Sequence, residues 1–267
     1  MQPVRHRFDM RDLAIAVGPT GVQRTVLVQV LPKTSETLDF LALAGAPPDQ
    51  QSGQQPEIAG VVGWVDLQAP DVGERIATLQ QAPGGDRLVG IRHLVQDEAD
   101  PDWLARADVL RGLRAVADAG LVYDLLVRPP QLAAAITAVR AVGEGRFVLD
   151  HLGKPAVRSG QITSWAADLT SLARAGQTAV KLSGLVTEAD PGRPWEEQLK
   201  PYLATALAAF GPDRMMIGSD WPVCLLAASY TEVLDLAAKL TDGLDRRDQQ
   251  AVAGGTAASW YRLPGLG

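Results

Sequence analysis

The stretch Arg214-Met215-Met216-Ile217-Gly218-Ser219-Asp220-Trp221-Pro222 decides the fold. Arg214 to Ile217 reads as a short apolar run, the pattern of a strand buried on both faces of a parallel sheet. Gly218 and Ser219 let the backbone leave the strand, and Pro222 forbids its continuation. Asp220 is thereby placed at the carboxyl end of a buried strand, where α/β enzymes keep reactive groups. A carboxylate there calls for a metal, a cationic partner or a proton-transfer role to offset its lost hydration. The plainer reading is a cap on the following turn.

Working outward, the same alternation recurs along the chain. Gln23 to Val30 predicts a first strand behind a charged lead, and a helix opens at Ser35 and runs through Leu43. A polar loop from Pro47 to Pro56 precedes a strand over Ile58 to Asp66, with a helix starting at Asp71. Further strands are predicted over Leu88 to Val95, Val122 to Arg128, Arg146 to His151 and Thr178 to Leu185. Between them the apolar periodicity predicts helices over Val109 to Ala119, from Pro130 through Val139, Trp165 to Ala173 and Trp195 to Phe210. Two helices, Thr231 to Leu240 and Arg246 to Tyr261, end the chain. Strict strand–helix alternation with short loops means parallel pairing, and a (β/α)8 barrel is the common solution near 267 residues. The count is seven strands, one short of a closed barrel. No composition break divides the sequence, so residues 1–267 read as one domain.

The totals restrict the partners. With 25 basic against 31 acidic residues, a net charge of −6 and no basic stripe, nucleic acid and anionic membranes are not expected partners. No apolar run approaches a membrane span and the first residues lack an apolar signal region, which reads as a cytoplasmic protein. The single cysteine, Cys224, cannot form an internal disulfide and reads as a buried structural thiol. A small-molecule substrate is the expected partner, with a homo-oligomer left open.

A second stretch, Leu149-Asp150-His151-Leu152-Gly153-Lys154-Pro155, repeats the design of the first. His151 ends an apolar strand as Asp220 does, and in a barrel these ends converge on one mouth. A His nitrogen beside a carboxylate suits a divalent metal such as zinc, or an acid/base pair. Of Arg92 and His93, side-chain alternation turns one toward the interior and the other toward the helices. Arg92 is suited to clamp a carboxylate or carbonyl and His93 to hydrogen-bond substrate; each has the alternative of a structural partner. Arg128 on the fourth strand, Lys154 in the loop after His151, and Ser183, which shares a face with Lys181, complete the substrate-binding candidates. Trp221 walls the mouth or merely packs. The sequence carries no glycine-rich phosphate loop, nucleophile elbow or paired-cysteine motif.

Asp150-His-Leu-Gly-Lys-Pro155 together with Gly218-Ser-Asp-Trp-Pro222 resembles the amidohydrolase-related metal-dependent hydrolases of the barrel fold, and within them the sugar-lactonase branch of L-fuconolactonase and L-rhamnonolactonase type. Thr25–Gln29, Gly63–Asp66, Val89–His93, Val180–Gly184, Trp221–Cys224 and Gly254–Ala257 extend the resemblance over nearly the whole chain. The resemblance implies hydrolysis of a small polar lactone or a related ester or amide bond, with Asp220 as the base that activates water and a candidate metal ligand, and His151 as a metal ligand or the group that polarises the substrate. It also implies a first strand ending in His-x-His. This chain has three histidines, His6, His93 and His151, and no such pair. The expectation is therefore a barrel lacking its first strand, with zinc as the possible cofactor and its binding weakened by the missing pair. Decarboxylation of a small unsaturated acid, or a truncated non-catalytic barrel, stand as alternatives.

Overall fold

A computed structural model describes residues 4–46 and 55–263. Residues 47–54 of the predicted polar loop lie outside the described residues. Among the described residues seven strands form one parallel sheet in chain order: β1 (Arg24–Val28), β2 (Glu57–Gly63), β3 (Leu88–His93), β4 (Val122–Leu125), β5 (Arg146–Leu149), β6 (Gln177–Leu182) and β7 (Met215–Ile217). Every neighbouring pair is parallel, from Arg24 opposite Glu57 on the first two strands to Leu182 opposite Ile217 on the last two. The crossovers are α2 (Thr34–Gly45), α3 (Val72–Gln81), α4 (Ala107–Asp118), α5 (Leu132–Val142), α6 (Thr163–Ala173) and α7 (Trp195–Phe210), and they follow α1 (Met10–Val17). After β7 come α8 (Tyr230–Thr241), α9 (Arg246–Gln250) and α10 (Thr256–Trp260), the last two joined by a π-turn.

The sheet curls. Inward side chains from its first and last strands, Val26 and Val28 on β1 and Met216 on β7, join one interior cluster with Val62, Val89, Val122, Val148 and Ala179. A flat sheet of seven strands separates its edges by about six spacings of roughly 4.8 Å, too far for shared contacts. The opposite face carries the large core, where Ile91, Tyr123, Phe147, Leu149 and Val180 pack under the helices. β1 is only half-buried along its whole length, whereas β2 is buried from Ile58 onward. That difference marks β1 as the edge.

The charged lead contains an element that sequence periodicity did not predict. Asp9 accepts from the backbone N–H groups of Arg11 and Asp12 while the Asp12 side chain accepts from Asp9 N–H, a reciprocal cap that starts α1. Its Leu13 and Val17, four residues apart, pack with Tyr230 of α8. With two buried apolar residues in eight, the periodic signal is too short to detect. The strands are also shorter than predicted at their carboxyl ends. β5 stops at Leu149 and β7 at Ile217, so His151 and Asp220 lie two and three residues past their strands.

The chain end closes the amino-terminal side of the sheet. Trp260 Nε1–H donates to the Phe147 carbonyl at 3.1 Å, Arg146 donates to the Ser259 and Trp260 carbonyls, and Tyr261 enters the interior cluster. The carboxyl ends are left for chemistry. No helix among the described residues is long and apolar enough to cross a membrane.

Candidate active site

Past β5 the backbone makes a left-handed turn. His151, Leu152, Gly153 and Lys154 have φ of 53°, 52°, 70° and 51°. Only glycine takes this region without a steric penalty, and each other residue costs about 1–2 kcal/mol. The turn is held from outside by Trp165, whose Nε1–H donates to the Leu152 carbonyl at 2.7 Å. Asp220 past β7 is left-handed too, with φ of 55°. Four of the five non-glycine residues with positive φ among the described residues therefore belong to the two stretches singled out in the sequence. Strain of this kind persists where it aims side chains for function.

The turns bring His151 and Asp220 together. His151 Nε2 lies 3.6 Å from Asp220 Oδ1, and Nδ1 lies 2.8 Å from Ser183 Oγ beyond β6. An ionised carboxylate only accepts, so the nitrogen facing it carries the proton and Ser183 donates its hydroxyl hydrogen to Nδ1. Gly184 makes this approach possible, because a Cβ there would sit 2.6 Å from His151 Nδ1 and its φ is +65°. Burial pushes the imidazole below its ordinary pKa of 6.5 against the pull of Asp220 and Asp150, so His151 is neutral at neutral pH. The Asp220 side chain keeps 16% exposure and opens to solvent.

Beneath this pair lies a chain of buried charges. Arg92 Nη1 donates to Asp150 Oδ2 at 2.8 Å. Lys181 Nζ touches Asp150 Oδ1 at 2.7 Å and Asp124 Oδ2 at 2.6 Å. Tyr261 donates to Asp124 at 2.8 Å. Arg92 also donates to the carbonyl and side-chain oxygens of Gln29, just past β1. Burial would raise both carboxylates, but their company differs. Asp150, facing Lys181 and Arg92, is held well below the usual range. Asp124, buried beside Lys181 and repelled by Asp150, is pushed up to about 6. Lys181 stays charged beyond its ordinary range because the two carboxylates outweigh its burial.

The remaining sequence candidates divide. Arg92 turns inward and His93 outward. The His93 Nδ1 accepts from Trp64 Nε1–H at 3.0 Å, its Nε2 meets Glu98 at 2.7 Å, and its ring stacks on Trp103 at 4.5 Å. Both ring nitrogens are thus engaged within the protein. Lys154 is half-buried and near enough to act electrostatically on His151. Arg128 is exposed on the rim, three residues past β4. Trp221 adjoins Asp220 and receives Phe8 edge-on at 5.1 Å. Sequence reading passed over Gln29, Asp150 and Tyr261. The period-two alternation from Val148 to Asp150 was the available signal for Asp150; nothing local pointed to Tyr261.

Among the described residues no group of three His, Cys, Asp or Glu side chains converges as a metal site. His151 and Asp220 supply two donors, and a catalytic zinc takes three protein ligands. The donor set does not fit a tightly held zinc, and the chemistry below is derived without one.

A curled parallel sheet with a His/Asp pair past its carboxyl ends is the arrangement of a barrel-type enzyme. The sequence profile of the amidohydrolase family matches residues 3–263, and the chain belongs to that family. It is 40% identical over 251 residues to an L-fucono-1,5-lactonase of Burkholderia multivorans (strain ATCC 17616 / 249), covering 90% of this chain and 81% of the relative. A second L-fucono-1,5-lactonase, from Burkholderia ambifaria, is 35% identical over 260 residues, covering 96% and 86%. A crystal structure of a B. multivorans amidohydrolase with bound zinc superposes with a TM-score of 0.88 at 37% identity, covering 99% of this chain and 92% of the other.

Proposed function

We propose that this protein hydrolyses a small sugar lactone, with Asp220 as the base that activates water and His151 as the group that polarises the lactone carbonyl. The observation that carries the mechanism is the convergence of His151 and Asp220 on two left-handed turns, 3.6 Å apart at the mouth. The two L-fucono-1,5-lactonases, at 35–40% identity, support the substrate class.

In this reading a water molecule gives its proton to the Asp220 carboxylate as its oxygen bonds to the lactone carbonyl carbon. The Nε2–H of neutral His151 and the guanidinium of Arg92, whose side chain is 11% exposed, stabilise the negative oxygen that forms. The acyl carbon–ring oxygen bond then breaks, and the proton held by Asp220 passes to the departing ring oxygen. The product is the open hydroxy acid. Ser183 fixes the His151 tautomer, while Lys154, Trp221 and Arg128 meet the substrate's hydroxyl-bearing face; His93 shapes the wall through Trp64 and Trp103. The same reading takes β1–β7 as strands two to eight of a (β/α)8 barrel, with the first strand's position between β7 and the half-buried edge of β1.

The test is proton release from a panel of aldonolactones by the parent protein, Asp220→Asn and chelator-treated protein. The expected result is turnover that vanishes in Asp220→Asn and survives chelation. Turnover retained by Asp220→Asn overturns the assignment of the base. Loss on chelation overturns the metal-free mechanism.

A further inference from the structure

The interior charge chain runs from one end of the sheet to the other, and its far end is on the last helix. Tyr261 follows α10, whose neighbours Ser259 and Trp260 are tied to Arg146 and Phe147 at the start of β5. Its hydroxyl reaches up the interior to both oxygens of Asp124, at 2.8 and 2.9 Å. From there the contacts step through Lys181 and Asp150 to Arg92 without a gap above 2.8 Å. Asp150 is also the residue before His151, at the head of the left-handed turn.

We infer that Tyr261 is a positioning residue for the reaction at the opposite end of the barrel, acting through Asp124, Lys181 and Asp150 on Arg92. The inference rests on the lactonase reading above. The carboxylates of Asp124 and Asp150 share one ammonium, so the hold of Lys181 on Asp150 depends on how strongly Asp124 competes for it. The Tyr261 hydroxyl stabilises the ionised form of Asp124 and keeps it competing. Without that donor Asp124 takes a proton more readily, Lys181 pairs with Asp150 alone, and Asp150 relaxes its pull on the Arg92 guanidinium. The groups facing Asp124 are Lys181 from β6, Asp150 from beyond β5, Arg92 from β3 and Tyr261 from the chain end, beside Tyr123 on its own strand.

The experiment compares lactone hydrolysis by the parent, Tyr261→Phe and Trp260→Phe. Tyr261→Phe keeps the ring in the interior cluster and removes only the hydroxyl. Trp260→Phe loosens the same plug, removing its bond to Phe147, without touching the charge chain. The expected result is a roughly tenfold lower kcat for Tyr261→Phe with KM within about twofold, in line with coupling carried through a packed network. Its acid limb moves to higher pH, because a carboxylate that loses a donor protonates more readily. Trp260→Phe lowers the melting temperature and leaves kcat and the pH profile as in the parent. An unchanged kcat and profile in Tyr261→Phe overturns the inference while the lactonase reading stands. Losses of kcat that follow melting temperature in both variants overturn it as well. A parent inert on every lactone overturns both. If Tyr261→Phe does not fold, Asp124→Asn is read the same way, with a roughly tenfold lower kcat at a KM within about twofold as the expected sign.

Discussion

The mouth and the interior beneath it are built from the same kinds of side chain, yet they treat charge in opposite ways. In the interior, Arg92, Asp150, Lys181 and Asp124 meet at 2.6–2.8 Å, both carboxylates fully buried. At the mouth, His151 and Asp220 stand 3.6 Å apart, and Asp220 retains access to water. Three of the interior groups, Arg92, Asp124 and Lys181, sit on regular strand positions, Asp150 directly follows β5, and their charges pair with one another. The mouth sits on left-handed backbone and leaves bonding capacity unspent. Paired buried charge fixes geometry, whereas unspent capacity on a strained turn is available to a substrate. Density of buried charge alone therefore does not single out the proposed base; incomplete pairing does.

The largest expected effect separates the two regions through activity. Asp220→Asn removes the proposed base and is expected to lower kcat on the responsive lactone by about 10³-fold, within the range of general-base catalysis. Because Asp220 is partly solvated and only loosely paired, thermal stability stays within a degree or two of the parent. A melting temperature that falls with activity would show that the mouth is as structurally committed as the interior.

Lys181→Met tests the other side. It leaves Asp124 and Asp150 facing each other without their shared cation, and breaking a buried pair of this kind costs about 3–5 kcal/mol. Chemical denaturation should report that loss directly. The parent's stability should also depend on acid in two opposing ways. Asp124, raised to about 6, binds its proton more tightly in the fold than its unfolded value of 3.8, so it favours the fold as pH falls between those values. Asp150, held below 3.8, contributes stability at neutral pH that is lost as pH falls beneath that value. A melting temperature that is flat or slightly rising from pH 6.5 to 4.5 and drops below about 3.8 is the expected profile.

Much of this was legible in the sequence because the signals are local. Seven strands announce themselves as apolar runs, and His151 and Asp220 each follow one that Gly and Pro then turn away. That Lys181 and Ser183 share a face follows from strand alternation alone, and the structure turns both to the interior side. What was not legible depends on distance along the chain. Tyr261 reaches Asp124 across 137 positions, and no window carries that contact. α1 escaped because a two-turn helix held by a capping box presents too few apolar residues to show a period. The left-handed turn at His151–Lys154 was hidden too, since only Gly153 in it advertises positive φ.

Gly184→Ala has a smaller expected effect and probes how narrowly the mouth is aimed. The added Cβ meets His151 at 2.6 Å and must hold a φ of +65°. A loss of about 1–3 kcal/mol in stability is expected from the backbone alone. Activity should fall with a displaced imidazole even at temperatures where the protein is fully folded.

Ser183→Ala is the gentlest of these changes and sharpens the comparison most. It removes the hydroxyl at 2.8 Å from His151 Nδ1 without adding bulk, and losing a single neutral hydrogen bond costs about 1 kcal/mol. The Nε2–H tautomer then lacks the donor that fixed it, so kcat should fall about five- to tenfold, with stability changed by a similarly small free energy. Activity that survives Ser183→Ala unchanged means the left-handed turn alone orients His151. A loss as deep as that of Asp220→Asn would put Ser183 beside Asp220, His151 and Arg92 among the groups proposed to touch the reacting atoms.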